Sequence, residues 1–210
     1  MISRQTNYLK GAITKMKRLF ASVISCVLIL SLICSGLTVF ATTITGAVDT
    51  DNFVRGVDVS TLDMLEDLGA RFYQNNVESD ALTILKNNGA NYVRLKLWVD
   101  PYDENGNPYG GGNNDYATTL ALARRAKNLG MGVLIDFHLS DFWTDPANQI
   151  KPKAWKDLSY SELKTTLYNY MKDTLNNFAA AGIVPEMVQV GNEISTGILH
   201  DDGKVGNGNE

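Results

Sequence analysis

Four apolar segments alternate with amphipathic segments along the chain, and this alternation constrains the fold more than any other feature. The segments predict strands at residues 55–60, 91–98, 132–138 and 187–193. Between them the helical spacing predicts a short turn over 62–68 and helices around Leu82, from Asp115 to Leu129 and from Ser161 to Gly182. Apolar strands that alternate with helices are typical of a parallel sheet covered by helices.

The helix starts are predicted from polar residues that precede each helical segment. Ser60, Ser79 and Ser161 have side chains that can accept a hydrogen bond from the first helical turn, and so does Asp115. We therefore expect these four residues to cap the four helical segments.

Polar residues are concentrated at the carboxyl end of each predicted strand. In α/β barrels this end carries the active site, and doubly wound sheets also bind ligands there. No Gly-rich phosphate-binding sequence follows the first strand, which counts against a dinucleotide-binding sheet. The pattern favours a barrel and leaves the doubly wound sheet open.

The first 41 residues have the composition of an export signal. Five basic residues and no acidic ones occur there, and an apolar run from Leu19 to Phe40 ends at a small residue, Ala41. We expect a signal peptide over 1–41 that is cleaved after Ala41, a polar lead-in over 42–53, and a secreted folded body over 54–210. An uncleaved membrane anchor is the alternative, because about 20 apolar residues can span a bilayer.

Charge, cysteine and histidine usage exclude several classes of function. Residues 42–210 carry 14 basic and 23 acidic side chains, so nucleic acid is not expected as a partner. Both cysteines, Cys26 and Cys34, lie in the predicted signal, which excludes thiol catalysis and disulfides in the body. Only His138 and His200 are present, so we expect no metal site and no cofactor.

Two charged residues on predicted strands are the main candidates for chemistry. Glu193 ends an apolar strand, where partial shielding suits a general acid, although it could equally cap the next helix or pair with a neighbouring cation. Arg94 lies within an otherwise apolar strand and needs a partner there. That partner is either a carboxylate in the active site or a structural ion pair.

The remaining candidates follow the predicted strands. His138 and Asp141 come directly after the third strand. The three tryptophans, Trp98, Trp143 and Trp155, lie at or beyond strand ends. Their flat rings suit stacking on the apolar face of a sugar, and packing is the alternative.

Six motifs in order resemble glycoside hydrolase family 53, the arabinogalactan endo-β-1,4-galactanases. The resemblance extends from about Phe53 to Lys204. Its motifs are Gly56-Val57-Asp58-Val59-Ser60, Asn91–Trp98, Asn105–Asn114, Asp136–Pro146, Lys151–Trp155 and Val188–Ile194.

This resemblance implies a (β/α)8 TIM-barrel glycosidase that cleaves β-1,4-galactan of arabinogalactan type I, as in pectin side chains, with a retaining mechanism. Glu193 resembles the family's acid/base, Asn192 the residue that holds the sugar 2-hydroxyl, and Arg94 the arginine that positions the nucleophile. The substrate-binding residues by the same resemblance are Trp98, His138, Asp141, Trp143, Asp145 and Asn148. The partner implied is the polysaccharide, and the complete protein is expected to be a monomer.

The sequence departs from the family pattern in its length. A (β/α)8 barrel needs about 250 residues, and the family's nucleophile, a second glutamate on the seventh strand, has no counterpart here. We therefore expect the N-terminal half of the barrel, with about four βα units and no hydrolysis by the chain alone. A carbohydrate-binding barrel remnant without catalysis, and a related β-1,4-glycanase of mannanase or cellulase type, are the alternatives.

Overall fold

The computed structural model describes residues 53–206 and 208. The predicted signal over 1–41 and most of the lead-in over 42–53 lie outside the described residues. The strands of the described part are β1 (Gly56–Asp58), β2 (Tyr73–Gln74), β3 (Val77–Glu78), β4 (Tyr92–Leu97), β5 (Gly132–Phe137), β6 (Met187–Val190), β7 (Gly197–Ile198) and β8 (Gly203–Lys204). Its α-helices are α1 (Leu62–Asp67), α2 (Ala81–Asn87), α3 (Tyr116–Asn128) and α4 (Tyr160–Ala180), with 3-10 turns at Lys153–Trp155 and Ile194–Thr196.

The main sheet contains four strands in the order β1-β4-β5-β6, and each neighbouring pair is parallel. This spatial order equals the order along the chain, with a helix-containing crossover between successive strands. A doubly wound sheet reverses its strand order at a switch point, whereas a barrel adds each strand next to the last. The strand order is therefore that of a barrel.

The two faces of the sheet differ sharply in polarity, because successive side chains of a strand point to opposite faces. On β4 and β5 the outward face is fully buried and apolar, and it forms the core with the helices. Its residues are Val93, Leu95, Leu97, Val133, Ile135 and Phe137. Arg94 and Lys96 alternate with these residues and face the barrel interior, where Asp136 also lies.

Three of the four predicted helix caps are wrong, each by one or two residues. Asp80 rather than Ser79 caps α2, by accepting from the Thr83 backbone N–H. Ser159 rather than Ser161 caps α4, in a capping box with Glu162.

The third error is at α1, where Thr61 is the cap residue and makes no side-chain cap bond. The Ser60 hydroxyl, predicted to cap this helix, instead donates to Asp58. Asp115 caps α3 as predicted, by accepting from the Thr118 N–H.

The sequence interpretation missed the hairpin formed by β2 and β3. Its two-residue loop, Asn75-Asn76, has φ values of 52° and 63°. Two consecutive positive φ angles are those of a type I′ turn, which asparagine tolerates well. The strands on either side have only two residues each, too few for a periodic signal.

None of the helices in the described part of the chain is long and apolar enough to cross a membrane.

Candidate active site

Arg94 links all four strands of the main sheet at its centre. Its Nη1 donates to Asp58 Oδ2 on β1 at 2.5 Å, and its Nη2 donates to Asp136 Oδ2 on β5 at 2.5 Å. Nε donates to Gln189 Oε1 on β6 at 3.2 Å, and Nη2 also reaches Asn192 Oδ1 at 2.8 Å. Arg94 is thus ion-paired within the fold and at the same time fixes the amide of Asn192.

Asp58 joins Arg94 to a second cation on the same strand. Lys96 Nζ lies 3.0 Å from Asp58 Oδ2, and the Ser60 hydroxyl donates to Oδ1 at 2.7 Å. Burial alone would raise the pKa of Asp58, but the hydrogen bonds from Ser60 and the Lys96 ammonium outweigh it and hold this pKa below its usual value. Asp58 is therefore a carboxylate at neutral pH.

His138 and Asp136 lie fully buried beneath this site. The Thr144 backbone N–H donates to His138 Nδ1 at 3.1 Å, so that nitrogen carries no proton and the neutral ring is protonated at Nε2. Nε2 lies 3.0 Å from Asp136 Oδ2, at an angle outside hydrogen-bond geometry, so the contact is electrostatic. The structure places His138 under the cleft rather than on its surface.

Asn192 closes a ring of contacts through these residues. Its Nδ2 donates to the Thr144 carbonyl at 2.6 Å, and its own carbonyl accepts from Gln149 Nε2 at 2.8 Å. The ring runs from Arg94 through Asp136, His138, Thr144 and Asn192 back to Arg94. An amide nitrogen has two protons, and one N–H of the buried Asn192 side chain is used by the Thr144 carbonyl.

Glu193 follows directly and has a different environment. It has φ 54° and ψ 48°, the left-handed conformation, which costs a non-glycine residue about 1–3 kcal/mol and occurs often at functional sites. The side chain is exposed and makes no hydrogen bond or ion pair with the described residues. Neither the capping bond nor the salt bridge considered for Glu193 is formed, so its carboxyl is available for chemistry.

Gly191 makes this turn possible. Its φ is 82°, and a Cβ at this position would lie 2.4 Å from Ile194 Cγ2. Any other residue at 191 would therefore displace the segment that places Asn192 and Glu193.

The three tryptophans considered for stacking differ in exposure, and Trp155 is buried with its ring 5.4 Å from that of Tyr170 between centroids. Trp98 is buried, in edge contact with His138 at 6.2 Å between ring centroids. Trp143 is exposed, and its ring contacts His138 edge-on at 5.9 Å while Lys96 Nζ lies 4.7 Å from its centroid. Trp143 is thus the one of the three that can present a ring surface to a ligand.

Two of the residues predicted to bind substrate, Asp141 and Asp145, have carboxylates that already accept hydrogen bonds within their loops. Asp141 accepts from the backbone N–H groups of Asp100 and Lys153 at 3.0 Å and 2.8 Å. Asp145 accepts from the backbone of Ala147 and from the backbone and side chain of Asn148, and the Asn148 side chain, as the largest effect, lowers the pKa of Asp145. These bonds fix the shape of the loop that follows β5.

Several residues of the site have no role in the sequence interpretation. They are Asp58, Lys96, Asp136, Thr144, Gln149 and Gln189. Four of them, Asp58, Lys96, Asp136 and Gln189, are polar residues within otherwise apolar strands, and this signal is the one that identified Arg94.

The described residues bring no three His, Cys, Asp or Glu side chains into a position to share a metal ion. The site instead combines one exposed carboxyl, a fixed amide beside it and an exposed indole. Carboxyl, amide and aromatic groups in this arrangement suit proton transfer on a bound sugar.

Comparison with known proteins agrees with this chemistry. The profile of Glycosyl hydrolase family 53 matches residues 54–210. The endo-beta-1,4-galactanase of Bacillus subtilis (strain 168) is 49% identical over 147 residues, which are 70% of this chain and 34% of that protein. The arabinogalactan endo-beta-1,4-galactanase A of Aspergillus niger is 42% identical over 154 residues, which are 73% of this chain and 42% of that protein.

A solved structure supports the same conclusion for the fold. The GH53 catalytic domain of Ignisphaera aggregans has a TM-score of 0.71 and 52% identity, covering 72% of this chain and 42% of that domain. The chain thus spans less than half the length of each of these relatives. The expected TIM-barrel glycosidase fold is confirmed, and the described residues contain four consecutive strands of it. The match over 54–210 shows that this chain belongs to glycosyl hydrolase family 53.

Proposed function

We propose that this chain is part of a secreted endo-β-1,4-galactanase that cleaves the β-1,4-galactan of arabinogalactan type I with retention of configuration. The observation that carries this proposal is the placement of Glu193, whose exposed carboxyl has no partner in the described part of the chain and lies beside the fixed amide of Asn192. The Bacillus subtilis and Aspergillus niger relatives, which are named as galactanases, support the substrate.

In the proposed reaction Glu193 is the acid/base. Protonated Glu193 donates to the glycosidic oxygen while a second carboxylate attacks the anomeric carbon, and Glu193 then activates the water that releases the sugar. The remaining N–H of Asn192 holds the sugar 2-hydroxyl. Arg94 positions this amide, and in the complete enzyme it positions the nucleophile as well.

The nucleophile is proposed to come from a part of the full-length protein outside the described residues. Retaining hydrolysis needs two carboxyl groups about 5–5.5 Å apart, both of which reach the substrate. Asp58 is paired with Arg94 and Lys96, and Asp136 is fully buried. Neither of these two aspartates is suited to attack a sugar, so we expect no hydrolysis by the 210-residue chain alone.

A chimera tests this assignment. Residues 54–206 are joined to the C-terminal part of the Ignisphaera aggregans domain, and release of reducing ends from galactan is measured. We expect the chimera to cleave galactan and E193Q to lose about 100-fold or more of this turnover while it still binds galactan. The matched control E186Q replaces a carboxylate that pairs with Lys127 away from the site, and it should retain turnover.

The same assay distinguishes the alternatives. Turnover of mannan or cellulose above that of galactan would indicate a related β-1,4-glycanase. Galactan binding by a folded chimera without any hydrolysis would indicate a carbohydrate-binding remnant. Full turnover in E193Q would remove Glu193 from the proposed role.

Export is proposed from the composition of residues 1–41, which lie outside the described part. N-terminal sequencing of protein recovered from the culture medium should begin at Thr42. Retention of residues 1–41 in the membrane fraction would support an uncleaved anchor instead.

A further inference from the structure

An open groove of ≈ 680 Å³ extends beyond Trp143, on the side of the loops that follow β4 and β5. We call it the aromatic groove. Its lining includes Tyr109, Phe142, Trp143, Asn148, Lys151 and Lys153.

Three aromatic rings, of a kind that folded proteins usually bury, are exposed in the aromatic groove. Tyr109, Phe142 and Trp143 are 44%, 42% and 46% exposed. Burial of an aromatic side chain stabilises a folded protein, so a patch of exposed rings is typical of a binding surface.

Phe142 and Tyr109 are held in place by packing from within the fold. The Phe142 ring lies 4.9 Å from the buried Trp98 ring and 6.0 Å from Tyr109, between ring centroids. A Cβ at Gly111 would lie 3.3 Å from the Trp98 ring, so a glycine there lets the loop after β4 approach these aromatics closely. The rings are thus preorganised, which lowers the entropy lost on binding.

Each of the three lysines that line the aromatic groove has a carboxylate within 4.0 Å, and for Lys156 this is Asp157, 4.0 Å from its Nζ. Lys153 Nζ lies 2.6 Å from Asp100 Oδ2 and 3.6 Å from Asp141 Oδ2, and Lys151 Nζ lies 2.5 Å from Asp202 Oδ2. Burial alone would lower the pKa of Lys153, but Asp100 and Asp141 outweigh it and raise this pKa. Because these ammonium groups are neutralised by protein carboxylates, the groove favours an uncharged ligand.

Trp143 connects the groove to the candidate active site. Its ring contacts the buried His138, lies beneath the Lys96 ammonium and lines the groove as well. Thr144, which follows Trp143 in the chain, accepts through its carbonyl from Asn192, the neighbour of Glu193, so the aromatic groove begins close to the candidate acid/base.

We propose that Phe142 and Tyr109 form a stacking subsite for an outlying galactosyl unit of a neutral β-1,4-galactan chain. The axial O4 of each galactosyl unit leaves the opposite face of the ring with C–H groups, and this apolar face packs on an aromatic ring. This subsite rests on the proposed function, and it extends substrate recognition beyond the sugar units at the cleavage point. Through it, the enzyme selects chain length and rejects uronate-rich polymers.

Titration of the 210-residue chain with β-1,4-galacto-oligosaccharides tests the subsite. F142L keeps an apolar contact with Trp98 but removes the ring, and Y109A removes the exposed neighbour. We expect either variant to weaken the Kd for galactohexaose by about 10-fold and to leave the Kd for galactobiose unchanged. The matched control Y168A, an exposed aromatic on α4, should change neither value, and circular dichroism checks that each variant is folded.

The outcomes separate the two proposals. Unchanged hexaose affinity in both F142L and Y109A, with wild-type binding intact, overturns the subsite and leaves the galactanase assignment standing. Binding of oligogalacturonate as tight as that of galactohexaose overturns the neutral specificity. Absence of galacto-oligosaccharide binding by the folded wild-type chain overturns the subsite, while galactan hydrolysis by the chimera decides the proposed substrate.

Discussion

Arg94 is the residue on which the polar interior depends most. Its guanidinium donates hydrogen bonds to side chains on or after the three other strands of the main sheet, β1, β5 and β6. One of these side chains is the fully buried carboxylate of Asp136. Removal of one partner of a buried ion pair leaves an uncompensated charge, which costs far more than loss of a surface pair.

R94M should therefore lower the free energy of unfolding by about 3–5 kcal/mol in urea titrations of the chain. Arg125 offers a matched control, since it also contacts two carboxylates, Glu66 and Asp80, but on a more exposed surface. R125M should cost about 0–1 kcal/mol. Equal losses of unfolding free energy in R94M and R125M would show that Arg94 contributes no more to stability than an arginine on the surface.

Asp58 makes the stability of the fold depend on pH in the acid range. Its folded pKa is lowered, so it stabilises the fold at pH values above the unfolded pKa, near 3.8, and this contribution is lost as the pH falls through the lower folded value. Thermal unfolding between pH 2 and 7 should show a smaller acid-induced loss of stability in D58N than in the wild type. An identical pH profile in D58N would contradict this role.

At the residue scale, the sequence predicted the need for a partner at Arg94 but not which partners it has. Both interpretations considered for Arg94 describe part of its contacts, because it pairs with Asp58 and Asp136 and also fixes Asn192. Strand register brings Asp58 opposite Arg94 and Asp136 opposite Lys96, and register between distant segments has no local signal.

At the scale of elements, strand and helix types were predicted well and helix starts were not. Residues 159 to 162 read Ser-Tyr-Ser-Glu, so two serines compete for one cap. Only Ser159 has a glutamate three residues later, which is the spacing of the capping box that forms. This spacing was readable from the sequence, whereas the short hairpin of β2 and β3 was not.

Replacement of the two serines separates these interpretations of the α4 start. S159A should lower the free energy of unfolding by about 1 kcal/mol, because the first turn loses its cap. Ser161 lies within the first turn of α4. S161A should change the free energy of unfolding by no more than a few tenths of a kcal/mol. A larger loss in S161A would contradict the observed cap.

At the scale of the whole molecule, the main sheet has two outer strands, β1 and β6, within the described residues. Val188 and Val190 of β6 are 39% and 50% exposed, although they occupy the face that helices cover on β4 and β5. An exposed apolar outer strand is prone to pair with another chain.

The 210-residue chain should therefore self-associate as its concentration rises in light-scattering chromatography. The double variant V188K/V190K should shift the population toward monomer. V205K adds charge at an exposed valine outside the main sheet and should have a smaller effect. A wild-type chain that stays monomeric at every concentration would contradict this expectation.

The parallel sheet covered by helices was predictable from the alternating pattern, and the TIM barrel was predictable from the resemblance, because both depend on features that recur along residues 54–204. The ring of contacts around Asn192 was not, since it joins residues up to 98 positions apart. The sequence thus indicated which residues carry groups suited to chemistry. The fold determines which of these groups remain available to a ligand.

The acid/base role of Glu193 is tested most directly by E193A in the active chimera, with two substrates that differ in their need for protonation. The sugar hydroxyl that leaves from galactan needs a proton from the enzyme. The dinitrophenolate of a dinitrophenyl β-galactobioside leaves without one. We expect E193A to lose galactan hydrolysis, to retain formation of the sugar–enzyme intermediate from the aryl substrate, and to yield β-galactobiosyl azide when azide is added. Equal losses on both substrates with no azide product would contradict the assignment of Glu193.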